Sequence, residues 1–286
     1  MMRGREHHRW WKIVAAAGVF ATLLAARPSI CASAAIAGTQ LDFGYLDMYD
    51  LRFHDARKAF DEWQRLHPED PMGPVSEAAS YLFSEFDRMG ILRSQLFTDD
   101  KQFKQRKKPA HDPASWNAFN RALDLSQQLA DAILTSDPRN TNALFAELLS
   151  RGLRADHLAL IEGRDLAALP YMKSAGVLAN RLLKIDPSLY DAYLAVGVEK
   201  YLLSLNPAPV RWALRLYGVQ GDKMQGIREL ELTAERGHYL LPYARLLLAI
   251  AALRDHNKTR AAALLRGLAH EFPDNRLYTT ELARLE

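Results

Sequence analysis

Thiol chemistry is nearly absent from this chain, whose 286 residues include a single cysteine, Cys31. That residue lies ahead of the expected mature start at Ala35, so neither a disulfide framework nor a cysteine nucleophile is available beyond it. An excess of one charge sign is also missing. The 37 Lys/Arg and 34 Asp/Glu give a formal net charge of +3, but the first 34 residues hold five of the bases and one of the acids. What remains is 32 basic and 33 acidic residues, without the basic footprint that nucleic acid requires, so no nucleic-acid partner is expected. No Gly-x-Ser-x-Gly elbow occurs, and from Ala35 onward no two histidines stand three or four residues apart. A helical zinc site needs such a pair on one face, so no metal site, cofactor or catalytic residue is assigned from local motifs. Acidic pairs such as Glu85 with Asp87 and Glu229 with Glu231 fall on different helix faces, which suits no shared acid–base role.

The amino-terminal segment reads as an export signal. Arg3, Arg5, Arg9 and Lys12 precede an apolar run of 14 residues, 13–26, and Ala32-Ser33-Ala34 supplies a small-x-small cleavage pattern. The run is shorter than the roughly 20 residues a membrane-spanning helix needs. A signal peptide over 1–34, cleaved near Ala34, makes the expected location periplasmic or secreted, in a bacterial envelope. An uncleaved anchor in the inner membrane is the alternative.

Beyond it, apolar residues recur with helical period and no strand is expected. Three segments share one ending: Ala56, Phe60, Trp63 and Pro68; Ala175, Ala179, Leu182 and Pro187; Ala261, Leu265, Leu268 and Pro273. The spacing of four and then three places each set on one helical stripe, and the proline cannot continue the helix. The prolines at 68, 138, 187 and 273 lie 70, 49 and 86 residues apart. The stretch 98–113 lacks apolar periodicity and carries Lys101, Lys104, Arg106, Lys107 and Lys108. It is the expected boundary between a hairpin unit over 35–97 and a repeat domain over 114–286. Its cations suit peripheral contact with a membrane or an acidic partner, or simply a solvated loop.

The repeated unit resembles the tetratricopeptide (TPR) repeat, best over 241–273, with Ala249, Ala261, Leu265, Leu268 and Pro273 at the small, large and closing positions. A second match places Tyr193, Val196 and Gly197 on a first helix. The segment from Leu216 to Leu230, with Gly218, Gly221, Asp222 and Gly226, is similar to divergent helical-repeat proteins of inclusion-body clearance. As a phosphate loop that segment fails, since Asp222-Lys223-Met224 replaces the required Lys-Ser/Thr; Asp222 reads as a helix N-cap.

The resemblance implies an all-α fold, a right-handed α-solenoid of five to six antiparallel hairpins, and a non-catalytic scaffold or adaptor that binds a protein partner. It also implies a concave groove lined by first helices, here by Asp191, Leu194, Val198 and Tyr201, and by Tyr243, Leu246 and Ile250. Burial of these positions in a tightly curled core is the competing reading, and a carrier of a hydrophobic small molecule or lipid is the alternative function. A polar pocket around Asp156, His157 or Glu199 would instead point to an enzyme.

Overall fold

The computed structural model describes residues 38–91, 110, 112–205 and 221–285. The export segment 1–34, the cations of 101–108 and the stretch 206–220 lie outside them. Among the described residues all regular structure is helical, and the helices pair in hairpins. These are α1 (Gln40–Tyr49) with α2 (Phe53–Leu66), α3 (Met72–Met89) with α4 (Pro113–Ser136), and α5 (Thr141–Asp156) with α6 (Asp165–Ile185). Then come α7 (Ala192–Ser204) with α8 (Lys223–Arg236), α9 (Leu241–Arg254) with α10 (Lys258–Glu271), and a final α11 (Arg276–Ala283). Each helix packs on the next, and α1, α3, α5 and α7 also touch in series, so odd-numbered helices form an inner layer and even-numbered ones an outer layer. This is a TPR-like stack.

One turn recurs at the foot of the outer helices. The amide of Asp70 donates to His67, that of Asn140 to Asp137, that of Leu189 to Asp186 and that of Asn275 to Phe272, each across an X-Pro-x-x sequence. Proline at the second position fixes φ for such a turn and stops the helix before it. In two of the four, the last residue then caps the next inner helix: Asn140 accepts from Ala143 N–H and Asn275 from Leu277 N–H.

The irregular proline spacing now has a physical reason. The interval of 86 residues spans two hairpins, because α8 ends at Gly237 without a proline. That of 70 spans one, lengthened by a 24-residue α4 and the connection before it. In the interval of 49, α5 runs on through a π-helical turn, His157–Glu162.

Helix α3 packs on α4 across the boundary expected at 98–113, and one apolar core extends from Leu41 to Tyr278. Gly38–Glu286 is a single compact unit. Helices α7 and α8 cross with their backbones in close approach. A Cβ at Gly226 would stand 2.7 Å from the Tyr201 amide nitrogen and 2.9 Å from the Gly197 carbonyl oxygen, so only glycine admits the approach.

Candidate functional site

The inner layer curls until its faces meet. Tyr243 of α9 packs edge-on against Phe83 of α3, with ring centres 5.3 Å apart, and its hydroxyl donates to Asp156 of α5 at 3.4 Å. Leu246 and Ile250 enter the same core, and Tyr201 is buried too. Leu194 and Val198 are half-buried against the small cluster of Leu230, Ala234, Ala244 and Leu248. None of the seven residues expected to line a groove is exposed. Tyr243 thus turns towards α3 and α5, and Leu194 and Val198 pack against α8 and α9.

Asp191 has a specific task. Its carboxylate accepts from the amides of His238 and Tyr239, both at 2.9 Å, and of Leu240 at 3.1 Å. Those amides belong to the three residues that lead into α9, at the one hairpin junction that lacks the proline turn. Burial pushes the Asp191 pKa up, and the three donors pull it back by favouring the ionised form.

The ends of the stack come together. Tyr45 of α1 stacks on Tyr239, with centroids 4.6 Å apart, and the Tyr49 hydroxyl donates to the Tyr239 carbonyl at 3.0 Å. The Asn275 amide group donates to the Tyr49 carbonyl at 2.7 Å, and Asp50 accepts from the Asp274 N–H at 2.9 Å. Arg52 bridges Asp50 and Asp274, and His238 meets Asp42. These partners lie 190 to 226 residues apart in the chain. No helical period or turn motif marks them, and only the clustering of aromatics at 45, 49 and 239 offers a signal. Along this seam lies a cavity of about 390 Å³ with an aromatic floor that includes Tyr49, Phe83, Phe86, Tyr243 and Tyr278.

The groups singled out for acid–base chemistry do not converge. Asp156 faces α9, where burial raises its pKa to about 7 and the Tyr243 hydroxyl opposes part of that shift. The residue keeps some surface, but its carboxyl end is surrounded by protein. His157, its neighbour in sequence, turns to α4 and stacks on Trp116 at 4.0 Å and Phe119 at 5.5 Å. Space beside it amounts to about 10 Å³, room for one water. Glu199 lies over Gly176, between α7 and α6, with burial raising its pKa. Among the described residues no group of three His, Cys, Asp or Glu side chains is placed to hold a metal ion. No helix among them is long and apolar enough to cross a membrane.

Asp222 caps α8 by accepting from Gln225 N–H at 2.9 Å, while Gly221 presses against the Leu203–Ser204 backbone. Gly218 lies outside the described residues. No family model and no curated protein matches the chain. The crystal structure of a thermophilic TPR protein in Thermus thermophilus aligns over 86% of this chain and 96% of its own, with 14% identity and a TM-score of 0.44. The TPR-like assignment therefore stands on the paired helices and the repeated proline turns of this chain itself.

Proposed function

We propose that the chain is a non-catalytic adaptor of the bacterial cell envelope, exported by its first 34 residues, that recruits a protein partner on the outer layer of the stack. One observation carries this reading. On α6, Leu166, Leu169, Pro170, Lys173 and Val177 are all exposed and share one stripe over three turns. Leu166 is 83% and Val177 62% exposed, whereas Ala168, Ala175, Leu178 and Leu182 on the opposite face are in the core. A solvent-facing helix usually turns polar residues outward, so an apolar row there fits a docking surface. Lys173 stands within the row and Lys184 lies beyond it towards the end of the helix, so the complementary partner is an apolar helix face with acidic flanks.

The test is affinity capture from envelope extract with the chain from Ala35 onward, in parallel with Leu166→Asp and Val177→Asp. We expect a saturable protein partner that the parent retains and both variants lose, at unchanged melting temperature. A partner held equally by the variants would remove α6 as the surface. Sequencing the amino terminus of the exported protein checks the export reading, with Ala35 as the expected first residue.

A further inference from the structure

The seam cavity offers a second site, independent of the outer surface of α6. At about 390 Å³ it falls within the range of small-molecule pockets, and it lies between the first and last elements of the stack. Most of its polar lining is already used. The Tyr49 hydroxyl bonds to Tyr239, that of Tyr243 to Asp156, and the Asn275 amide group spans Tyr49 and Leu277. Glu281 is paired with Arg284 at 2.5 Å. The charged side chains left on the rim are one anion, Asp87 at the end of α3, and one cation, Arg276 at the start of α11. Neither side chain has an ion-pair partner among the described residues, and both are solvent-exposed.

We infer that this cavity binds a small zwitterion with a large apolar body, an apolar amino acid or a dipeptide of such residues. The aromatic floor takes the side chain by burial of apolar surface. Arg276 takes the carboxylate in fork geometry, and Asp87 takes the ammonium. A zwitterion meets both rim charges, whereas a ligand with one charge meets only one of them and faces the other as a like charge, which is why the pair selects a zwitterion. Because Asp87 lies on the second hairpin and Arg276 on the last helix, the bound molecule ties α3 to α11 and holds the seam shut.

Titration calorimetry on the purified protein at pH 7 distinguishes the two sources, using L-phenylalanine in one arm and L-leucyl-L-phenylalanine in the other. One of them is expected to bind saturably at one per chain with a Kd below about 1 mM and to raise the melting temperature. Arg276→Gln and Asp87→Asn, both surface changes that leave the unliganded melting temperature in place, should each weaken binding by about threefold to fivefold. Decanoate and decylamine, carrying one charge each, should bind about threefold to fivefold more weakly than the zwitterion. No saturable heat from either zwitterion, equal binding by the single-charge amphiphiles, or unchanged affinity in both variants would each overturn the assignment.

Discussion

Asp156 holds a proton at a pH where most carboxylates have lost theirs. An unfolded aspartate titrates near 4, whereas burial against α9 moves this one to about 7. Between those values the folded state binds the extra proton, so stability is greatest on the acid side and falls as pH rises from about 4 to about 7. Above that window it levels off. Asp156→Asn keeps an acceptor for the Tyr243 hydroxyl without the charge, so the variant should gain on the parent at pH 8 and match it near pH 4. Each pKa unit is worth about 1.4 kcal/mol in full, and remaining solvent contact reduces that, so the expected gain is on the order of 2 kcal/mol. Urea midpoints at pH 5 and pH 8 decide it, and parallel pH profiles for the two proteins would sink the idea. Nothing in the sequence distinguishes this aspartate from Asp191, because a carboxylate's role is set by what folds over it. Asp191 read as a groove residue, yet it holds the backbone at 238–240 that leads into α9, nearly 50 positions further along the chain.

At the scale of the element, glycine separates the structural positions from the incidental ones. Gly226→Ala would gain roughly 1 kcal/mol in helix propensity but drive a methyl into the Tyr201 backbone, which cannot swing aside. We expect a net loss of about 1–3 kcal/mol. Gly267 on α10 has nothing within 4 Å of its would-be Cβ, so Gly267→Ala should stabilise by up to about 1 kcal/mol. Thermal melts of the two variants should move in opposite directions, and a stabilised Gly226→Ala would show that the α7–α8 crossing can open. Helices and their ends were the most legible part of the chain, because a 3.6-residue stripe and a proline stop are local facts. The π turn at 157–162 and the proline-free end of α8 were not legible, and they disguised a regular set of hairpins as an uneven one. The apolar stripe of α9 was visible as well. What covers it was not, since Tyr243 meets Phe83 from a helix 160 positions away.

For the whole molecule, the seam is the feature that separates this stack from an open solenoid. Asn275→Ala removes the donor to the buried Tyr49 carbonyl and the cap of α11 together. A loss of about 2–3 kcal/mol is expected from the unpaired carbonyl and the missing cap. Hydrogen exchange should quicken first in α1 and α11, while α5 and α6 stay protected. Uniform acceleration across all helices would mean that the ends do not hold each other. The sequence could announce the hairpins but not their closure, because contacts across more than 200 positions leave no periodic trace. An open stack grows or shrinks by whole units, since each unit meets only its neighbours. In this chain an extra hairpin ahead of α9 would carry Tyr239 and Asn275 away from Tyr49, and one fewer would leave them no room. Closure therefore fixes the number of units: inserting or deleting a hairpin breaks the seam, whereas exchanging side chains within the helices leaves it whole.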